Sequence, residues 1–370
     1  MLKFKKNNYS YLYIFFLLLV FFFNEFSTNY ALGKNYNVPD VKVEESYDID
    51  FDKSKVVDSA FEQAFKILLY KLIENKDKSK INIISLKDKK SLIENFSISD
   101  EMFINNQYIA NFNVQFNKRK ILNYLNNKGL IPSSPIEIES FLLPILIDTN
   151  SNELYYLNQN IFYNNWNYNR KNYHLIKYVL PNEDIEDYNI IKKNINNIEN
   201  YNFKEITEKY NLKNEIILII LKSNSLIRVY SKIKFGKKNF LLNDIYNLND
   251  IENTDEINDI IFNIKNNYED KWKSANKVNT SIVLPVRLSI NAKDSKLSEK
   301  LESHLSSIEL ISDFKIEMFN NKEIIYKIIF NGDPNKLLDV MSLYDFKVDT
   351  SKKIWRVNEW VKSTIIRFWY

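Results

Sequence analysis

The sequence predicts a mixed α/β protein, three small α/β modules in tandem with the C-terminal one ferredoxin-like. Three observations carry this expectation. Runs with a two-residue apolar period alternate with runs at three- and four-residue steps along the chain. Past residue 275 they fall in the order β-α-β-β-α-β, the split-βαβ plan. The length, 370 residues, supplies two or three domains with cores of their own.

The first module spans 38–137. Val41–Phe51 has strand character, with Asp48, Asp50 and Asp52 on one face. A calcium loop is excluded there, because Lys53 stands where an EF-hand needs Gly and Ser59 where it needs the bidentate Glu. Ser54–Glu74 repeats Val56, Ala60, Phe61, Ala64, Phe65, Leu68 and Leu72 at helical spacing, a broad core-facing stripe. A short helix is expected near Ser91–Phe96. Tyr108, Ala110, Phe112, Val114 and Phe116 alternate with polar residues, a half-buried strand. Asn117 caps a helix over Lys118–Lys128 that Gly129 closes.

The second module spans 138–250. Phe141–Ile147 reads as a strand in which Pro144 argues for an edge or a bulge. Leu175–Leu180 is another strand, and a short helix is expected near Phe203–Tyr210. The apolar run Ile216–Leu221 suits a central strand buried on both faces, and Ser225–Phe235 pairs with it through Ser223-Asn224.

The third module spans 253–357. A helix carrying Ile257, Ile260, Ile261, Ile264, Tyr268 and Trp272 leads into it. Then come strand Ser281–Ile290, helix Ser295–Ile308, strands Ile311–Phe319 and Glu323–Asn331, helix Asp333–Tyr344 and a strand near Ile354–Val357. Asp333 and Pro334 form the entry to the last helix.

Composition closes off many chemistries. The absence of cysteine excludes disulfides, thiol catalysis and Cys-ligated metals. Two histidines, His174 and His304, cannot make a three-His metal site, and four scattered glycines cannot build a dinucleotide fingerprint or a P-loop. No metal and no cofactor are expected. A formal charge of +4 without a basic stripe argues against a nucleic-acid partner. Asn, Lys, Ile, Phe and Tyr are over-used as an A/T-rich genome would dictate, leaving six arginines among 51 basic residues.

Residues 1–33 read as a secretory signal. Lys3, Lys5 and Lys6 precede an apolar run, Tyr11–Phe23, and Ala31-Leu32-Gly33 supplies the small residues of a cleavage site. The run has 13 residues, short of the ~20 that span a bilayer. The expected location is periplasmic; the alternative is an inner-membrane anchor facing the periplasm, membrane contact then resting on the N-terminal segment alone.

Candidate chemistry is sparse. Glu183, Asp184, Glu186 and Asp187 could hold a divalent ion or act as acid and base. They also stand where a helix begins, and carboxylates there complement the macrodipole. They are read as exposed, and so as poor general bases near neutrality. His304 is read as packed at the edge of its helix, and His174 as packed or solvated with equal weight.

The order of several motifs resembles a bacterial family of exported proteins catalogued as domain of unknown function 2066. The features are Ala60, Phe61, Ala64 and Leu68; Tyr108-Ile109-Ala110 through Phe116, with Leu125 and Gly129; Trp166 to Leu180-Pro181; Trp272; Val283-Leu284-Pro285-Val286; Asn331-Gly332-Asp333 with Leu337; and Trp355. The resemblance covers most of 38–357. It implies an envelope protein of Gram-negative type without established activity, and it brings no catalytic residues. The chain departs from the pattern in its few glycines and its aromatic tail, residues 358–370. In that tail Trp360, Phe368, Trp369 and Tyr370 form a docking element for a partner, or else pack on their own protein.

Two functions follow: a non-catalytic binding or assembly protein of the envelope, with an envelope protein as partner, or a periplasmic hydrolase or metal-dependent enzyme using carboxylates. The first is favoured, because no nucleophile elbow or metal-ligand spacing is present. Intact-mass measurement of the native protein is expected to show a chain starting near Lys34; a retained Met1 in the membrane fraction would replace cleavage by anchoring.

Overall fold

The computed structural model describes residues 36–359, except 82, 83, 169, 279–281 and 309. They form a mixed α/β architecture with three sheets, each with helices against it. No helix among them is long and apolar enough to cross a membrane.

The first sheet has the order β1-β3-β2, antiparallel throughout: β1 (Asn37–Ser46), β2 (Ile93–Ile104), β3 (Gln107–Phe116). Helix α1 (Lys53–Leu72) lays Ala60, Ala64, Leu68 and Leu72 on the face that Tyr108, Phe112, Val114 and Phe116 present. Helix α2 (Leu86–Leu92) leads into β2, and α3 (Lys118–Asn127) follows β3. Asn117 accepts from the Lys120 amide as N-cap, and Gly129 takes φ +66 beyond the helix end, as expected.

Two expectations fail here. The Ser91–Phe96 helix stops at Leu92, and the chain continues as β2. The reason lies across the hairpin: Asn105 and Asn106 both take positive φ, a turn that brings β2 alongside β3. The acidic triplet is not a strand face either, since β1 ends at Ser46. Asp48 closes a turn by accepting from the Asp50 amide at 3.0 Å, and Asp52 caps α1 by accepting from the Ser54 amide at 2.8 Å.

The middle sheet runs β5-β4-β7-β8-β9, with β6 also on β4. The strands are β4 (Ile138–Asp148), β5 (Glu153–Tyr155), β6 (Ile176–Val179), β7 (Asn214–Ser223), β8 (Leu226–Phe235) and β9 (Lys238–Asn247). Between them lie α4 (Ile161–Asn165), α5 (Ile185–Lys193) and α6 (Lys204–Thr207). β7 is a central strand as expected, and it pairs with β8 through a turn at Asn224-Ser225.

Pro144, expected at an edge or a bulge, sits inside β4 opposite Leu218 with no shift of register. On the other side of β4, β6 covers 138–141 and β5 covers 146–148. Pro144 falls in the gap between them, where a strand partner would otherwise need its missing N–H. Its carbonyl accepts from Asn160 Nδ2 at 3.1 Å.

Helix α7 (Thr254–Ala275), read from sequence as the lead into the third module, belongs to the second. Its Ile257, Ile261, Ile264 and Tyr268 pack against Ile216, Leu218, Val229 and Ile233 of the middle sheet. Core burial places the boundary after α7, because an apolar stripe packs on whichever face is open to it.

The third sheet has the order β11-β12-β10-β14-β13, from β10 (Leu284–Asn291), β11 (Ile311–Phe319), β12 (Glu323–Phe330), β13 (Phe346–Asp349) and β14 (Trp355–Glu359). Helices α8 (Ser295–Ser307) and α9 (Pro334–Leu343) cover one face through Leu297, Leu301, Leu305, Leu337 and Met341. The expected order of strands and helices is present with one strand more. After α9 the chain makes the edge strand β13, then turns back so that β14 takes the place beside β10, parallel to it. A four-residue strand at the Phe346 stretch was too short to show in the sequence.

Leu301 is fully buried in this core. Leu301→Ala is expected to cost roughly 2–5 kcal/mol by chemical denaturation; a loss below about 1 kcal/mol would remove α8 from the core elements.

Candidate functional site

Strand β8 separates its residues cleanly. Ile227, Val229, Ile233 and Phe235 are buried towards α7, while Arg228, Tyr230, Lys232 and Lys234 share the opposite face. Over that second face the segment 200–207 approaches, and the β8–β9 turn at Gly236-Lys237 closes one end. Gly236 holds φ +57 there and its amide donates to Asn214 Oδ1 at 3.1 Å. The result is a groove of about 700 Å³.

Four ammonium groups, Lys204, Lys232, Lys234 and Lys237, line this groove against one lining carboxylate, Glu215. Lys234 pairs with Glu215 at 3.2 Å. Lys232 donates to the Tyr201 carbonyl at 3.0 Å and lies 5.8 Å from the Phe203 ring centroid. Burial holds the Lys232 ammonium below the usual lysine range. Lys204 and Lys237 remain exposed. Tyr201, Phe203, Ile217 and Leu241 add apolar wall. The groove therefore suits an anionic ligand that also carries apolar groups.

A second concentration of charge lies in the interior. Lys265, Glu269 and Lys273 follow each other at four-residue steps on α7, so they share one face, and each is at most 3% exposed. Each is satisfied by backbone. Lys265 Nζ donates to the Trp166 carbonyl, and Lys273 Nζ to the Tyr70 carbonyl at 2.6 Å. The Glu269 carboxylate accepts from the Leu175 and Ile176 amides at 3.0–3.1 Å. Burial lowers both lysines, Lys265 to about 8, and raises Glu269. His174, read from sequence as solvated or packed, is 2% exposed beside them. Burial, then the positive charge of Lys265 and Lys273, pushes its imidazole down to about 3.

The sequence-derived candidates are placed as follows. Asp184 is the N-cap of α5, accepting from the Glu186 amide at 2.8 Å, and Glu186 lies in the first turn, as helix-start electrostatics requires. Asp187 corrects the reading of this cluster as exposed: it is fully buried, with Oδ1 2.7 Å from Lys209 Nζ. Lys209 also holds Asp184 at 2.7 Å, which lowers the Asp184 carboxyl and raises the ammonium. Lys209 lies just past α6 and 22 residues beyond Asp187, too far along the chain for helix-start reasoning to have paired it. His304 packs as expected, its Nδ1 2.6 Å from the Lys300 carbonyl and its ring against Tyr344 and Phe346. Trp360, Phe368, Trp369 and Tyr370 lie outside the described residues, as does the 1–33 segment.

Compared with known proteins, the chain matches no family model and no curated protein. The geometry is therefore the source of the functional reading. Sequence reasoning missed the groove because its lysines come from β8, a turn and a short helix, each ordinary alone. The alternation Arg228-Tyr230-Lys232-Lys234 was the available signal.

The buried imidazole makes acid sensitivity testable. His174 is neutral when folded and protonates near pH 6.5 when unfolded, so stability is fully present above 6.5 and declines towards about 3. Thermal melts are expected to fall between pH 7 and 4.5 in the wild type and to fall less in His174→Gln. An identical decline in the two would assign the acid sensitivity to other groups.

Proposed function

We propose that this is an exported, non-catalytic binding protein of a cell envelope, and that it takes an acidic segment of a partner protein in the groove beside β8. The location rests on the basic n-region, the Tyr11–Phe23 run and Ala31-Leu32-Gly33. An uncleaved N-terminal anchor facing the periplasm is the other form of the same reading. The resemblance to the exported family of domain of unknown function 2066 agrees in location and adds no activity. The third module reads as a ferredoxin-like plan with an inserted edge strand, an architecture that hosts many unrelated functions and so does not vote.

The observation that carries the binding reading is the groove itself, four lysines and three aromatic rings against one carboxylate. Charge of one sign in a concave wall attracts the opposite charge from a distance, and the rings give an amphipathic segment somewhere to bury its apolar side chains. The carboxylates offered for hydrolysis fit this role poorly. Asp187 is in the interior on Lys209, where a substrate proton is out of reach.

A fluorescent acidic peptide with interspersed Leu and Phe tests this by anisotropy. Wild-type binding is expected to weaken with salt, and Lys204→Glu/Lys237→Glu, both exposed, should weaken it at least about tenfold at low salt. Equal binding by the variant would remove the groove from the function.

A further inference from the structure

Every sheet edge is a strand with unpaired amides and carbonyls, and natural proteins blunt such edges by bulges or brevity. Six of the seven edge strands described here follow that rule, β6 among them with only four residues. β1 is bulged between Val38 and Val41, with Asp40 at φ 54. β2 and β11 each carry two irregularities. β5 and β13 have three and four residues.

β9 does not follow it. Its ten residues pair with β8 without a single shift of register. Among the described residues no second strand pairs with it. It contains no proline, and on its open face Leu241 and Ile245 are 66% and 68% exposed. On the other face Phe240, Leu242 and Tyr246 are half buried against the middle core.

The order of side chains along this edge is a chemical palindrome: Asn239-Phe240-Leu241-Leu242-Asn243-Asp244-Ile245-Tyr246-Asn247. About Asn243 an amide mirrors an amide, an aromatic an aromatic, and an aliphatic an aliphatic. A two-fold axis requires that kind of self-complementarity, since each residue must suit the one that its symmetry mate places opposite.

We propose that β9 is the interface with a second copy of this chain, the two strands pairing antiparallel about Asn243 to make one continuous sheet across the dimer. In this register Leu241 faces Ile245 of the partner subunit on the open face, twice. Phe240 faces Tyr246 of the partner subunit on the other, also twice. Such cross-strand apolar and aromatic pairs stabilise antiparallel sheets. Asn239 meets the partner's Asn247, and Asn243 meets itself. Leu242 faces the partner's Asp244, the one mismatched pair, and Asp244 is already held against α7 by Asn267 at 3.1 Å. No like charges are opposed. Leu241 borders the groove as well as this edge, but the main-chain pairing does not require the lysines beside β8 to be occupied, and the crosslinking below reads the edge alone.

The absence of cysteine makes the register directly readable in the full chain. Residues directly opposite in an antiparallel pair have Cα atoms about 4.5–5.5 Å apart, within disulfide reach. Under mild copper-catalysed oxidation Asn243→Cys is therefore expected to give a reductant-sensitive covalent dimer. Leu241→Cys alone should give none, since its two copies lie four residues apart, about 13 Å. Leu241→Cys combined with Ile245→Cys should restore the dimer. In sedimentation the Leu241→Lys/Ile245→Lys variant, which blunts the edge with charge, should show less dimer than the wild type at equal concentration, with unchanged circular dichroism. Absence of the Asn243→Cys dimer, equal crosslinking of Asn243→Cys and Leu241→Cys, or a sedimentation profile indifferent to the two lysines would each overturn the proposal.

Discussion

The middle of the molecule depends on a helix that carries charge into the interior. α7 buries an apolar stripe against the sheet and, a quarter-turn away, the row Lys265, Glu269 and Lys273. A buried charge left without partners costs several kcal/mol, so the row demands backbone groups aimed at it. Those groups come from outside the helix. The stretch from the end of α4 to the first residue of β6 supplies the Trp166 carbonyl and the Leu175 and Ile176 amides, which fixes where β6 joins β4.

The same helix joins modules. Lys273 reaches the Tyr70 carbonyl at the end of α1, the Asp270 carboxylate accepts from the Asn75 amide at 2.9 Å, and Trp272 Nε1 donates to the Ile136 carbonyl at 2.8 Å. The first and second modules are thereby held through main-chain acceptors and donors, which side-chain changes elsewhere do not disturb. The first and third meet through Arg119 and Asp313 at 2.7 Å, an exposed pair of modest worth. Beside it Lys118 Nζ donates to the Ile308 carbonyl at 3.2 Å, so this joint too uses a main-chain acceptor but is less deeply buried than the first.

With α7 filling one side of the middle sheet, β8 is left to divide its side chains between a buried face and the groove. That division puts the lysines of β8 on one surface, and the pairing order leaves β9 as the outermost strand beside them. A cationic concavity steers an acidic segment, and an unblunted edge offers main-chain pairing; the first acts through charge and the second through hydrogen bonds, so salt affects them differently.

Where local physics decides, the sequence alone determined the element. The stripe of α1, the alternation of β3, the Asn117 and Asp333 caps, the apolar run of β7 and the β-α-β-β-α order of the third module follow from periodicity and capping within a few residues. Tertiary structure decided what partners at a distance control. β2 and β9 exist because hairpin partners pair with them, and Pro144 is tolerated inside a sheet because two short strands leave a gap beside it. Lys265, Glu269 and Lys273 carry no local mark of burial until the carbonyls and amides that receive them are in place, and Asp187 reads as a helix-start carboxylate until Lys209 arrives from another element. Charge buries itself only where distant backbone answers it, and no local pattern in the chain records where that backbone will be.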